Sequence, residues 1–182
     1  MTATADASHA GHFADRASFA TVEVAENRRI ARDTYRLRFL APQIAERIVP
    51  GQFIMLRLAG SNDPLLGRPL ALYDTVVDEA GRAIGVDVVY LVVGKLTRKL
   101  AALSPGQPLE VWGPLGNGFP PQSADHLLMV AGGIGQTPFL ALAQEYLGRR
   151  RYGSPPRNVP RANRVTLCYG ARNREYLAGV ED

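Results

Sequence analysis

Six short segments between residues 19 and 114 constrain the fold most strongly. They are FATVEVAENRRIA, TYRLRFLA, GQFIMLRLA, RPLALYDTVVD, IGVDVVYLVV and PLEVWGP. In the second of them Tyr35, Leu37 and Phe39 alternate with two arginines, as in a strand with one buried face. Residues that favour turns separate the segments. Because closure removes exposed strand edges, the pattern predicts a small closed antiparallel barrel.

One short helix is predicted between the fifth and sixth segments. TRKLAALSPG places Leu100 and Leu103 three residues apart, offers Thr97 as an N-cap and stops at Pro-Gly. The first N–H groups of a helix have no partner within it and favour an anion. A phosphate site is therefore one interpretation of this stretch. A plain strand-to-helix turn, with Gly94 giving backbone freedom, is the other.

A second pattern begins near residues 118–125. HLLMVAGGIGQTPFLALAQEYLGRRR combines an apolar strand, a glycine turn and an amphipathic helix, and RVTLCYGARNREYLAGV begins the same pattern again. Alternating strands and helices indicate a parallel sheet. Two strands and one helix are too few to cover both faces of such a sheet, so we expect this second domain to be truncated.

These patterns divide the chain into three parts. We predict a disordered leader over residues 1–17, a barrel over 18–119 and a partial α/β domain over 120–182. His9 and His12 lie three residues apart in the leader, but no third metal ligand is nearby.

The glycine turn of the second domain is a candidate nucleotide site. Gly132, Gly133 and Gly135 permit a close backbone approach, Thr137 is a possible cap, and Pro138 suits the first position of a helix. The spacing is not the G-x-G-x-x-G of the common dinucleotide fingerprint. Nucleotide binding and a structural turn therefore both stay open.

Composition and charge exclude several functional classes. The net charge is +4, and the densest basic stretch, residues 148–164, is rich in Gly and Pro, which favours a solvated loop over a nucleic-acid site. The sequence has no apolar run of about 20 residues and no signal peptide, so we expect a cytoplasmic protein without membrane contact. The single Cys168 excludes an internal disulfide and, alone, any cysteine-ligated metal or iron–sulfur centre.

Arg68 heads an apolar segment, RPLAL. A guanidinium is rarely buried without a partner, and its planar fork suits phosphate or carboxylate. Arg68 therefore either reaches water or holds an anion.

Five motifs now support a family resemblance. PGQF, RPLAL, VGKLT, GPLGNGF and AGGIGQTP occur in the order and spacing of the ferredoxin–NADP reductase-like flavoproteins. Within them the chain most closely resembles the electron-transfer subunit of class B dihydroorotate dehydrogenase, over about residues 19–180. The resemblance implies an FAD-binding Greek-key barrel followed by a nicotinamide-binding α/β domain, which is incomplete here.

The resemblance also implies a set of cofactor-binding residues, with no catalytic side chain and no metal ligand. The flavin would be held by Arg68, Pro69, Leu70, Ala71, Val89, Tyr90 and Leu91, its phosphates by the turn of Gly94, Leu96 and Thr97, and the nicotinamide cofactor by Gly132, Gly133 and Gly135. The family often has Ser in place of Ala71, a basic residue in place of Leu91 and Gly in place of Leu96. Leu96 is expected to crowd the phosphate turn.

The implied function is electron transfer in pyrimidine biosynthesis. Electrons from NADH would pass through FAD and, in the full-length family, a [2Fe–2S] cluster to a dihydroorotate dehydrogenase catalytic subunit in a hetero-oligomer. Two alternatives remain: a stand-alone NAD(P)H-dependent flavin or ferredoxin reductase, and a barrel that is an interaction module without cofactor. We expect the chain to bind FAD. We also expect NADH to reduce the bound FAD slowly.

Overall fold

A computed structural model describes residues 13–181. The strands are β1 (Ser18–Ala31), β2 (Thr34–Leu40), β3 (Phe53–Leu58), β4 (Arg68–Val77), β5 (Ala83–Leu91), β6 (Pro108–Leu115), β7 (His126–Gly132) and β8 (Arg164–Gly170). The α-helices are α1 (Pro42–Ala45), α2 (Lys95–Ala101) and α3 (Phe139–Tyr146), and 3-10 turns occur at Phe13–Arg16, Gly133–Gln136 and Arg174–Tyr176. Most of the predicted leader, with His9 and His12, lies outside the described residues.

The first six strands form a closed antiparallel barrel in the order β1-β2-β5-β4-β3-β6. Strands β3, β4 and β5 follow one another, and β6 returns to lie beside β3, which is the Greek-key arrangement. The predicted fold class is therefore confirmed, and a short α/β segment follows the barrel.

Alternation along the strands builds the barrel core. Leu37 and Phe39 are fully buried, as the sequence pattern predicts. Between them, Arg38 of β2 faces outward and makes two hydrogen bonds, of 2.8 and 2.7 Å, to the carboxylate of Asp87 on β5. Asp87 is only 4% exposed, so this charge-assisted pair satisfies a carboxylate that would otherwise be costly to bury.

The start of α2 differs from the sequence-based prediction. Gly94, and not Thr97, is the N-cap, and the helix begins at Lys95. Thr97 lies one turn further on, where its hydroxyl accepts hydrogen bonds of 3.0 Å from the N–H groups of Val93 and Gly94. The helix starts earlier because this hydroxyl reaches back to satisfy backbone groups before the first turn.

The start of α3 also differs. Pro138 is the N-cap and not the first helical residue, and Thr137 makes no capping hydrogen bond to the helix. The physical reason is that the glycine turn continues into the 3-10 turn at Gly133–Gln136, where the N–H of Thr137 donates to the carbonyl of Ile134 at 3.2 Å. The helix therefore begins only at Phe139.

Strands β7 and β8 form a parallel pair, registered from His126 opposite Arg164 to Gly132 opposite Gly170. Helix α3 covers one face of this pair, where Met129 packs with Leu142 and Tyr146 in a second apolar cluster.

Asp74 of β4 joins the barrel to the segment that follows it. Its carboxylate accepts hydrogen bonds from Arg150 at 2.7 Å, from the hydroxyl of Tyr152 at 2.8 Å and from Gln144 at 3.2 Å. Burial, followed by the nearby Asp74 carboxylate, raises the pKa of the Tyr152 phenol, which therefore stays a neutral donor. Residues 148–164 are predicted from the sequence to form a solvated loop. That prediction is wrong at Tyr152, which is only 2% exposed.

Two sequence motifs, PGQF and GPLGNGF, meet beside the start of β3. The N–H of Phe119 donates to the carbonyl of Pro50 at 2.9 Å, and the side-chain amide of Gln52 donates to the carbonyl of Gly116 at 2.8 Å. Gly51 has a φ of +89°, and a Cβ there would lie 2.6 Å from the backbone nitrogen of Phe119. Glycine is therefore required at this position for two separate reasons.

We expect Gly51→Ala to destabilise the chain more than Gly81→Ala. Both glycines have positive φ, but an added Cβ meets no atom within 4 Å at Gly81. Strain alone should cost Gly81→Ala about 1–2 kcal/mol, and overpacking should add about 1–3 kcal/mol for Gly51→Ala. Urea unfolding of the two variants measures the difference, and equal losses would contradict the close approach seen here.

We expect Asp74→Ala to lower the free energy of unfolding by about 2–4 kcal/mol, because it leaves the largely buried Arg150 and Tyr152 without their shared acceptor. Asp63→Ala is the control, since its ion pair with Lys95 is exposed and should contribute much less. Urea unfolding measures both. If the control were as damaging as Asp74→Ala, the importance assigned to this junction would be wrong.

Candidate functional site

Strands β4 and β5 separate at one end of the barrel. Their pairing runs from Val77 opposite Ala83 to Leu72 opposite Val88. Before Leu72, residues 68–71 pair with β3, and after Val88, residues 89–91 pair with β2. The two strands therefore diverge, and the opening between them lies among the residues that the family resemblance assigns to the flavin.

Arg68 lies at the surface beside this opening. Its guanidinium donates to the carbonyls of Leu66 and Gly67, at 3.2 and 3.0 Å, within its own loop. Among the described residues it has no carboxylate partner. Of the two possibilities left by the sequence, Arg68 therefore reaches solvent, and its charge is available to an anion.

Asp63 ties the loop before Arg68 to the start of α2. Lys95 Nζ lies 2.5 Å from Asp63 Oδ1, and Lys99 donates to the backbone carbonyl of the same residue. The hydrogen bond from Lys95 lowers the pKa of Asp63 below its usual value, which keeps the carboxylate charged. This contact joins the loop that leads to Arg68 to the residue that follows Gly94, so two segments of the predicted phosphate site are linked.

Several predicted site residues turn their side chains into the protein. Val89, Tyr90, Leu96 and Thr97 are 8% exposed or less. The Tyr90 hydroxyl donates to Asn27 Oδ1 at 3.1 Å. These residues can therefore reach a ligand through their backbone only. The expectation that Leu96 crowds the phosphate turn is wrong, because its side chain belongs to the barrel core.

A cleft of about 310 Å³ lies between the barrel and the β7–β8 pair. Leu91 at the end of β5 and Gly133 of the glycine turn both line it, so two separately predicted segments meet there. The cleft lies at the carboxyl ends of the two parallel strands, where open α/β sheets bind their ligands. Arg68 does not line this cleft.

The glycine turn faces open space. An added Cβ at Gly132, Gly133 or Gly135 would meet no atom within 4 Å. Beside the turn, Gln136 is 4% exposed, and its side-chain nitrogen has no hydrogen-bond partner among the described residues. A backbone that a ligand can approach and an unsatisfied amide together fit a polar ligand at this turn.

The far wall of the cleft was not identified from the sequence. It is formed by the ARNREY stretch after β8, in which Arg172 and Tyr176 line the cleft. Arg32 holds this stretch against the barrel through a 2.6 Å ion pair with Glu175, and its guanidinium carbon lies 5.5 Å from the centre of the Tyr176 ring. The sequence signal that could have identified this wall is an aromatic residue, Tyr176, that lies among arginines shortly after a strand.

The described part of the chain restricts other kinds of site. Among residues 13–181 we find no cluster of three potential metal ligands. Within the same range, every helix is too short or too polar to cross a membrane.

Comparison with known proteins identifies the barrel. The family described as "Oxidoreductase FAD-binding domain" matches residues 21–119. The electron transfer subunit of dihydroorotate dehydrogenase B (NAD(+)) from Desulforamulus reducens is 41% identical over 64% of this chain and 43% of its own length. The corresponding subunit from Bacillus caldolyticus is 40% identical over 69% of this chain and 49% of its own length. The chain thus spans about half the length of the curated relatives it matches.

Solved structures show the same fold. An NADH-dependent reduced ferredoxin–NADP oxidoreductase gives a TM-score of 0.69 at 27% identity, over 89% of this chain and 52% of that one. A cytochrome P450 reductase from Amycolatopsis gives a TM-score of 0.70 at 27% identity, over 98% of this chain and 50% of that one. Phthalate dioxygenase reductase gives a TM-score of 0.63 at 22% identity, over 88% of this chain and 46% of that one. At this identity the similarity supports the fold alone.

The fold and the motifs therefore agree with the sequence comparison. The barrel has ferredoxin reductase-like topology, and the matched family covers residues 21–119, from β1 to the end of the GPLGNGF motif. This chain belongs to the oxidoreductase FAD-binding domain family.

Proposed function

We propose that this chain binds FAD at the β4–β5 opening and serves, as in its longer relatives, in an electron-transfer subunit that takes electrons from NADH and passes them to a dihydroorotate dehydrogenase catalytic subunit. The observation that carries the proposal is the divergence of β4 and β5 beside an exposed Arg68 without a carboxylate partner. The 40–41% identity to such subunits supports the assignment of the partner.

The residues at the opening fit a flavin dinucleotide. Arg68 would hold the pyrophosphate, because a guanidinium matches phosphate geometry and Arg68 has no competing carboxylate among the described residues. The backbone of residues 69–71 and 89–91 would lie along the ring system. The Gly94 turn would contribute the backbone N–H groups that follow Gly94, because those of Val93 and Gly94 already donate to Thr97. When bound, FAD supplies the redox chemistry, accepting hydride from the nicotinamide and releasing electrons onward.

The residues around the cleft would place the nicotinamide cofactor. The glycine turn offers an approachable backbone, and Leu91 places the edge of β5 within the same cleft. Arg172 and Tyr176 add a cation and an aromatic face to the opposite wall. The chain itself needs no acid or base for this reaction, since it orients the two cofactors and excludes water from between them.

The iron–sulfur centre expected in the full-length family does not fit this chain. Such a centre needs a set of cysteine thiolates, and the sequence contains Cys168 only. We therefore assign FAD and NADH binding to this chain and no iron–sulfur ligand.

A stand-alone reductase is the second candidate. The similarity to a ferredoxin–NADP oxidoreductase and to a cytochrome P450 reductase, each at 27% identity, favours it. Purification of the tagged chain from its own host separates the two functions, because only the electron-transfer subunit should copurify in fixed stoichiometry with a dihydroorotate dehydrogenase.

We expect Arg68→Ala to weaken FAD binding by about a hundredfold, because it removes a charge-assisted contact to the pyrophosphate. The control is Arg82→Ala, an exposed arginine on the β4–β5 hairpin that pairs with Asp78. Titration of each apoprotein with FAD, followed by flavin fluorescence and by the visible spectrum, gives the affinities. If Arg68→Ala bound FAD as tightly as the unsubstituted chain does, Arg68 would not be a pyrophosphate ligand.

We expect Gly132→Val to weaken NADH binding by at least about tenfold while FAD binding stays unchanged. Gly132 has ordinary extended backbone angles and open space around it, so the added side chain should obstruct the turn without straining it. Stopped-flow reduction of the bound flavin at increasing NADH measures the effect, and it also tests the expectation that reduction is slow. An unchanged NADH dependence would place the nicotinamide elsewhere.

A further inference from the structure

A second and larger cleft, of about 650 Å³, lies beside the start of β3 and the end of β6. Four segments wall it: the 3-10 turn before β1, the chain before β3, the end of β6 with the link to β7, and the loop after α3. They contribute, in this order, Arg16; Arg47, Val49 and Gln52; Pro114 and residues 117–121; and Gly153, Ser154, Pro155 and Arg157. None of its lining residues belongs to the predicted flavin or nicotinamide sets.

The charges around this cleft have one sign. Arg16, Arg47 and Arg157 line it, and no aspartate or glutamate does so within the described residues. The charge of Arg157 is already balanced, because its guanidinium binds the buried carboxylate of Glu145, and it also donates to the carbonyl of Phe119 at 2.6 Å. Arg16 and Arg47 remain as the cations that an incoming ligand would meet.

Arg47 and Arg16 are held near one another. Arg47 donates a 3.3 Å hydrogen bond to the backbone carbonyl of Arg16. Neither guanidinium forms an ion pair with a carboxylate in the described part of the chain. Two unneutralised guanidinium groups at one cleft attract a phosphate strongly, since both donors are charged and geometrically suited to it.

The remaining walls are mostly apolar. The side chains that make them are those of Val49, Pro114, Phe119, Pro120, Pro121 and Pro155. Proline and phenylalanine rings offer faces on which an aromatic ring can stack. Asn117 and Ser154 supply polar atoms beside these faces. A cavity of this volume, mostly apolar with a few polar groups, is typical of small-molecule sites.

The walls are also fixed in place. The carbonyl of Pro50 binds the N–H of Phe119, and the side chain of Gln52 bridges the N–H of Val49 and the carbonyl of Gly116. Gly153 approaches Val49 so closely that an added Cβ would lie 3.0 Å from it. The cleft is thus formed before any ligand arrives, which reduces the entropic cost of binding.

We propose that this cleft is a binding site for a nucleoside monophosphate, with the phosphate on Arg16 and Arg47 and the base against Phe119 and the prolines. The site is separate from the FAD and NADH sites of the proposed function and does not depend on them. The phosphate carries about 1.5 to 2 negative charges at pH 7. Since the cleft offers two guanidinium groups without an ion-pair partner among the described residues, charge complementarity selects the nucleotide over the nucleoside.

The test is calorimetric titration of the full 182-residue chain with AMP, with adenosine and with inorganic phosphate. We expect saturable binding of AMP and at least about tenfold weaker binding of the other two probes. Arg47→Gln and Arg16→Gln should each weaken AMP binding by about tenfold or more. Arg29→Gln, an exposed arginine on β1 that does not line this cleft, is the matched control and should leave AMP binding unchanged.

Because AMP is also part of FAD and NADH, the position of binding must be measured. Arg68→Ala and Gly132→Val should leave AMP binding unchanged, and the backbone amide resonances of Gly118 and Gly153 should shift on titration. The proposal is overturned if AMP does not bind, if adenosine binds as tightly, or if Arg68→Ala or Gly132→Val removes binding while Arg47→Gln does not. Folding of each variant is checked by its unfolding transition in urea.

Discussion

The carboxylate of Asp74 is the contact on which the arrangement of this molecule depends. It projects from β4, the strand that begins with Arg68, and it holds Arg150, Tyr152 and Gln144 from the segment after the barrel. Because one carboxylate serves three donors, α3 and its following loop are fixed on the strand that borders the opening. The glycine turn that precedes α3 is thereby set opposite the end of β5.

Two further contacts join distant segments of the chain near the candidate cofactor sites. Asp63 binds Lys95 and Lys99, which joins the loop before Arg68 to α2. Arg32 binds Glu175, which brings the chain after β8 back to the turn between β1 and β2. Each contact joins residues far apart in the sequence, and each borders the opening or the cleft. The segments around the candidate cofactor sites are therefore joined by contacts between distant residues, of which the contact at Asp74 is the most buried.

The two clefts differ in a way that fits two kinds of ligand. The cleft at Leu91 and Gly133 lies at the carboxyl ends of parallel strands, next to the opening in the barrel. The larger one lies at the linker and is lined by Arg16, Arg47 and Arg157 without a facing carboxylate among the described residues. The GPLGNGF motif contributes to its wall, so a segment whose glycines shape a turn also forms a surface that a ligand can use.

The sequence is enough to predict the barrel, because alternation such as that of Leu37 and Phe39 leaves one buried face per strand and six such strands close most readily on themselves. Its motifs also determined the family. Local signals placed the helix starts less well, since Thr97 and Pro138 both suit more than one position within a first turn. The exposure of the candidate site residues becomes clear only in three dimensions: Leu96 enters the core, Arg68 stays at the surface, and residues 172–178 form one wall of a cleft. Those outcomes depend on contacts between distant segments, which no local pattern encodes.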